Sequence, residues 1–420
     1  MSMTAERVVS AAGPVDEQIA RVGGCDVAVA FLTYNNADTL PALLTATSRG
    51  LAEHFPGMPV AYVVADAGSS DGTRDLFAST AVPSVVITHE APLAERVAVP
   101  FHGVPGRGAA LRAALGAAQR LGARVVLIVE ADLVSLEPDW IDRLTTPVRE
   151  HKADYVAASY ARHRFDGTIT NLLIAPFVRA LYGLRLRQPL GGQQALSGRL
   201  VEHLLLHPKW DWGARDLADV WILGTAIVDG FSVWEAWLGP RIIRSRTRAT
   251  DLPAMVSQTL GGVLSVMDRH HDLWRDVRAS EPLPAVGEPV LPGTEPREVD
   301  VERMASAFRL GLRDLTPVWE HVLAPETLGD VLSLETDDLA RFRFPDDLWA
   351  RVVYDFALGH HYAVIHREHL LRSLVPLYLG RTAAYVLAVR DRGAAASEAA
   401  AEAVAHAFER QKPYLVERWT

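Results

Sequence analysis

The chain has 420 residues, 49% of them hydrophobic and 22% charged, enough to bury one large core or two ordinary ones, so it is neither a peptide nor disordered throughout. Fifty-one acids against 42 Lys and Arg leave a formal charge of -9, which argues against a wrapped nucleic acid and favours small molecules, while a local basic groove for a phosphorylated ligand stays compatible. The one cysteine, Cys25, excludes an internal disulfide and a multi-cysteine metal site and fits a reducing compartment, with the cytoplasm as default.

Residues 1–24 lack an apolar core of signal-peptide length and read as a frayed or helical leader. Later apolar runs are cut by charge well short of the roughly 20 residues that cross a bilayer, so no transmembrane segment is expected. Val27 to Thr33 predicts a buried strand, followed by a polar loop and a helix carrying Leu40, Leu43 and Leu44, with Asn36 or Asp38 as its cap. Pro59 to Ala65 predicts a second strand, running into the segment DAGSSDGT from Asp66 to Thr73, and Val85 to Ile87 a third. After Gly106, Arg107 and Gly108, the stretch Ala109 to Leu121 is an Ala/Leu-rich helix, and Ala123 to Val129 a strand ending at Glu130, Ala131 and Asp132. Strands alternating with helices, with polar loops at the strands' C-terminal ends, predict an open α/β sheet whose site lies along that edge.

Asp154 to Tyr160 reads as extended, and Phe165 to Gly167 as a turn before a helix beginning near Thr170. Arg187 to Gln194 is too glycine-rich and polar for a core helix and predicts a ligand-facing loop. Trp210 to Asp216 precedes a helix over Leu217 to Thr225, and Phe231 to Leu238 alternates as a strand. Composition changes after Asp251. Residues 252–278 and 300–312 have helical spacing, separated by the prolines between Pro282 and Pro296, and 328–338, 345–363, 367–377 and 382–411 are also helical. The expected division is a leader over 1–24, an α/β domain over 25–250 and a helical region over 251–420.

Asp66, Asp71 and Asp132 sit at strand ends, where acids bind a sugar hydroxyl, hold a nucleotide edge, coordinate a divalent cation or cap a turn. Arg107 between two glycines suits an anionic ligand, or a surface turn. Arg162, His163 and Arg164 form a second basic cluster, belonging to a solvated loop or to an acceptor pocket. Gly191 and Gly192 permit close backbone approach, and Gln193 or Gln194 can donate and accept beside them. Trp210, Asp211, Trp212 and Asp216 combine apolar walls with carboxylates, a composition that orients a sugar or completes a core. The histidine pairs lie on predicted helices without a zinc-protease signature, and neither a GxSxG elbow nor a phosphate loop ending in Lys-Ser/Thr is present.

In this order, the segments AFLTYNN (Ala30 to Asn36), DAGSSDGT and Glu130-Ala131-Asp132 resemble nucleotide-sugar-dependent glycosyltransferases of the GT-A fold. Gly106 to Gly108, Glu137 to Trp140 after Asp132, Gln188 to Gly192 and Asp211 to Gly213 look more specifically like the retaining mannosylglycerate, glucosylglycerate and glucosyl-3-phosphoglycerate synthases. The resemblance implies a Rossmann-like open mixed sheet and a hexose donated by a nucleoside diphosphate sugar. It implies glycerate, phosphoglycerate or another small acceptor, and Mg²⁺ or Mn²⁺ bound by Asp132. It implies donor contacts from Thr33, Asn35, Asp66, Arg107, Glu130 and Ala131, a sugar or acceptor wall from Gly191, Gly192 and Gln193, and an acceptor side shaped by Asp211 and Trp212, with Asp132, Asp211 and Arg107 as the catalytic set. A homodimer is compatible with it. The chain departs from the pattern at Glu130, where the family has Asp, at Gln193, where an acid often follows the glycines, and between Gly239 and Arg246, which lacks the family's metal-binding His. Arg241, Arg244 or Arg246 either offsets diphosphate charge there or simply faces solvent. A GT-A transferase with a lipid, saccharide or secondary-metabolite acceptor, and a noncatalytic sugar-nucleotide-binding or scaffold protein, are the alternatives.

Overall fold

The computed structural model describes residues 15–97, 103–208, 210–244, 252–336 and 338–419. β1 (Val27–Thr33) is buried along its whole length, and its period-two alternation feeds two different cores. Ala28, Ala30 and Leu32 face one with Ala61, Val63 and Ala65, while Val27, Val29 and Phe31 face the other. Burial on both faces explains why the run is continuously apolar rather than alternating. The alanine-rich face takes the helix Arg107–Arg120, whose Ala110, Ala114 and Ala118 permit close helix-on-sheet approach; the bulkier face takes the helices Leu40–His54 and Pro138–Arg149.

The remaining strands are β2 (Val60–Asp66), β3 (Ser84–Thr88), β4 (Val125–Glu130), β5 (Tyr155–Ala161), β6 (Gln194–Ser197), β7 (Val233–Pro240) and β8 (Ala285–Val286), and the sheet order is β3-β2-β1-β4-β6-β5-β7-β8. All pairings are parallel except those of β6, which runs antiparallel to both β4 and β5. The Arg187 to Gln194 segment is loop through Gln193, as expected, and β6 begins at its last residue: four residues carry too little pattern, and its neighbours complete it. The first helix differs at its start, because Thr39 holds the N-cap position without a side-chain cap bond while Asn36 Oδ1 accepts from Tyr34 N at 2.8 Å. Asp38 instead meets Arg244 Nη1 at 3.3 Å.

Residues 1–14 of the expected leader lie outside the described residues; Val15–Val22 is a helix. Gln18 on that helix donates to Val86 O at 3.1 Å and accepts from Val86 N at 2.8 Å, covering the edge strand β3. A third core gathers residues 172–182 with the helices Leu252–Arg269, Val301–Trp319, Asp346–His361, Val375–Val389 and Ala394–Arg418 around Trp274, Trp319, Trp349 and Trp419. Arg179, only 4% exposed, ties this helical layer together through Glu402 and Glu409. Among the described residues no helix is long and apolar enough to cross a membrane.

Candidate functional site

β2 and β4 flank β1 on opposite sides, and the chain leaves the β1 and β3 ends toward helices on opposite faces, which opens a crevice beyond the C-terminal strand ends. Register pairs Thr33 with Asp66 and Leu32 with Glu130, so three strand ends share one edge. The first two are zipped by side chains. Asp66 is fully buried: Oδ2 accepts from Thr33 Oγ1 at 2.8 Å and Ser69 Oγ at 2.5 Å, and Oδ1 from the Gly68 and Ser69 amides at 3.0 and 2.8 Å. Ser69 Oγ accepts from Asn35 N at 2.8 Å, and Asn35 Oδ1 accepts from Ser70 N at 2.9 Å, with Asn35 itself in the left-handed region at φ 55°. Asp71 Oδ2 accepts from Ala37 N at 3.0 Å, completing a rigid double loop.

At the β4 end, Glu130 meets Arg241 in an ion pair with side chains 15% and 16% exposed. Gly192, at φ +94°, lies against this carboxylate so closely that a Cβ would sit 2.4 Å from Glu130 Oε2. Arg241 is held there by an antiparallel bridge between Leu133 and Ile243 and by Arg244 N donating to Asp132 O at 2.9 Å. β5 and β7 run parallel with Ala161 opposite Pro240, so the next residues, Arg162 and Arg241, leave adjacent strand ends side by side. A register shift between Tyr160 and Ala161 re-aims the β5 end. Arg241 Cζ stands 5.5 Å over the Tyr160 ring. Burial, reinforced by Glu130, pushes Asp132 up to about 6 against the pull of Arg241 and Arg107; burial, then Arg241's like charge, brings Arg162 down to about 10.

Glu130, Asp132, Arg162, Gly192, Asp219 and Arg241 line a cavity of about 690 Å³, whose lining also includes Ile169, Leu190, Ile242, Ile243, Leu252 and Met255. A smaller pocket touching Tyr34, Asn36, Arg107, Glu130, Ala131 and Asp132 adjoins it.

Residues 28–196 match the family model described as Glycosyl transferase family 2. The mixed open sheet flanked by helices, with a mainly helical C-terminal region, is a GT-A-like fold. Crystal structures of glucosyl-3-phosphoglycerate synthase from Mycobacterium tuberculosis are similar to the chain. One, in complex with Mn²⁺, UDP and phosphoglyceric acid, is 22% identical with a TM-score of 0.44 and covers 62% of this chain and 84% of that one. Another, with Mg²⁺ and UDP, is 21% identical with a TM-score of 0.44 over 62% of this chain and 84% of that one. No curated protein matches the chain.

Along this sheet edge the predicted residues separate into two groups. Arg107, Glu130, Ala131, Asp132 and Gly192 line the pockets. Thr33, Asp66 and Gln193 are buried, and Asp66, expected to read the donor base or ribose, has its oxygens spent on the loop. Gln193 receives the Tyr160 hydroxyl, and Gly191 abuts the β5 backbone, where a Cβ would lie 2.2 Å from Ala158 O. Arg107, expected over a donor phosphate, is instead 4% exposed and forks onto Asp219, Nε to Oδ2 at 2.8 Å and Nη2 to Oδ1 at 2.9 Å. Burial alone would lower its pKa; the Asp219 carboxylate outweighs that and holds it above the ordinary arginine value. Asp219 was not foreseen. Its signal is an acid among Ala218, Val220, Trp221 and Ile222, all buried, a setting that demands a cation partner. Asp211 and Trp212 fall within the helix Trp210–Val228, and their side chains, like that of Asp216 and like Arg246 as a whole, lie outside the described residues. His163 and Arg164 leave the basic cluster to bind backbone: His163 Nε2 is 2.9 Å from Glu295 O, and Arg164 donates to Val389 O at 3.1 Å.

The donor set for a resident divalent ion does not fit. Glu130 is engaged by Arg241, and Asp219 by Arg107 and by Gln194 Nε2 at 2.8 Å, leaving Asp132 as the cavity carboxylate near β4 with no guanidinium contact among the described residues. Among the described residues no group of three or more His, Cys, Asp or Glu is arranged to hold a metal.

Proposed function

We propose that the chain transfers a hexose from a nucleoside diphosphate sugar to a hydroxyl of D-glycerate or a related small acid in the cytoplasm, retaining the anomeric configuration. The observation that carries this reading is the common cavity shared by Glu130, Asp132, Arg162, Gly192 and Arg241 beyond the ends of β4, β5 and β7. The donor lies across the double loop and the β4 end, with Glu130, Ala131 and Asp132 beneath the sugar and diphosphate. The bond from the anomeric carbon to the β-phosphate oxygen breaks with its electron pair left on that oxygen. The acceptor oxygen then bonds the same face of the carbon, and its hydroxyl proton passes to the departing phosphate. Side chains supply alignment and charge to this step, and no enzyme nucleophile takes part. Support for an acid acceptor comes from the resemblance of the Gln188 to Gly192 and Glu137 to Trp140 segments to those of the glycerate and phosphoglycerate synthases.

The test is a mass-resolved transfer assay crossing UDP-, GDP- and ADP-sugars with D-glycerate and 3-phosphoglycerate. A hexosylglycerate or its phosphate is the expected product; donor turnover with neither acceptor removes the acid reading. A second reading, an acceptor with an apolar portion, is favoured by Ile169, Leu190, Ile242, Ile243, Leu252 and Met255 in the cavity lining. Product formation on lipid or aryl hydroxyls but not on the acids would select it.

A further inference from the structure

Arg162 and Arg241 share one cavity, in which Arg241 pairs with Glu130. Nη2 of Arg162 and Nε of Arg241 are buried and neither finds an acceptor among the described residues. Gly167, at φ +66°, leaves room for the first guanidinium, since a Cβ there would stand 2.6 Å from Arg162 Nη1. Two neighbouring guanidiniums with buried, unfilled N–H groups are costly unless an anion completes them. Of the adjacent carboxylates, Glu130 and Asp219 are taken up by arginines and, among the described residues, Asp132 alone is left to a cation, which weakens the site for a dication. We infer that Arg241 and Arg162 together form the cationic clamp for the donor's diphosphate, performing with side chains what a divalent ion would otherwise do. This rests on the nucleotide-sugar reading above. In the step already written, the clamp neutralises charge building on the departing β-phosphate oxygen, and no further reactant is required.

Titration calorimetry of the full chain with UDP, GDP and ADP, each with chelator or with Mn²⁺, tests it. The expected result is binding of at least one nucleotide with the same affinity in both conditions. It should weaken about tenfold to a hundredfold in Arg241→Gln and in Arg162→Gln, be partly kept in Arg241→Lys, and fall with rising salt. Circular dichroism of each variant separates lost binding from lost folding, and Arg241→Lys carries the test if a glutamine variant does not fold. Binding that requires Mn²⁺ overturns the clamp while the donor reading stands. Chelator-insensitive binding unchanged in the folded variants overturns the assignment of these arginines. D-glycerate or 3-phosphoglycerate titrated alone, binding with the same arginine dependence, would make the pair an acceptor site and also overturn it. No nucleotide binding in any condition removes the donor reading, and the clamp with it.

Discussion

Replacing Asp219 with Ala strands Arg107 in the interior. The guanidinium is 4% exposed, its Asp219 partner 14%, and both fork bonds are under 3 Å at 2.8 and 2.9 Å. Removing one member of a buried pair costs about 3–5 kcal/mol, because the remaining charge keeps its desolvation penalty without its partner. Asp219 borders the 690 Å³ cavity, so water can reach the vacated position, which puts the expected loss at the lower end of that range. Gln194 Nε2, 2.8 Å from Asp219 Oδ1, also loses its acceptor, adding about 1 kcal/mol. A loss of about 3–4 kcal/mol is therefore expected by urea denaturation followed through tryptophan fluorescence, more than a hundredfold in the folded-to-unfolded ratio. The double variant Arg107→Met/Asp219→Leu removes both charges and should recover at least half of it. A loss below about 1 kcal/mol, or a double variant no more stable than the single one, would refute the buried-pair argument.

Gly192→Ala should weaken nucleotide binding about tenfold in calorimetry, because its Cβ would stand 2.4 Å from Glu130 Oε2 and the φ of +94° resists a side chain; wild-type affinity would contradict that packing. Asp132→Asn should cut turnover by about a hundredfold or more, and the acid limb expected near pH 6, where the raised Asp132 carboxylate of the wild type takes up its proton, should vanish from the residual rate; near-normal turnover would remove Asp132 from the chemistry. Lys412 donates to Val277 O at 2.6 Å, and burial, then Arg278, lowers its pKa from 10.5 to about 8. Between those values the native state binds fewer protons than the unfolded chain, so this lysine's contribution to stability rises with pH across the window and its penalty is complete below it. The stability of Lys412→Met relative to wild type should consequently be greatest below pH 8 and decline toward pH 10.5; a difference independent of pH in paired melting curves would count against the buried-lysine account.

The first half of the sheet was legible from sequence because its signals are local. The continuous apolar run of Val27 to Thr33, the turn-forming DAGSSDGT segment and the acids closing β4 each need only neighbouring residues to be recognised. Glu130, Ala131 and Asp132, read from a strand end, and Gly192, read from the glycine-rich loop, do line the pockets. What the chain order could not convey is which charged groups meet. Asp66 looks like a ligand-reading acid, yet the Thr33 hydroxyl and the Gly68 and Ser69 amides fill it, and Arg107 turns inward only because Asp219 lies 112 residues away in sequence on a facing helix. Arg162 and Arg241 become neighbours through the parallel pairing of β5 with β7, and β6 becomes a strand through β4 and β5 on either side. Secondary structure is written by short-range periodicity and turn chemistry, whereas burial and ion pairing depend on distances that exist only once remote strands and helices have packed.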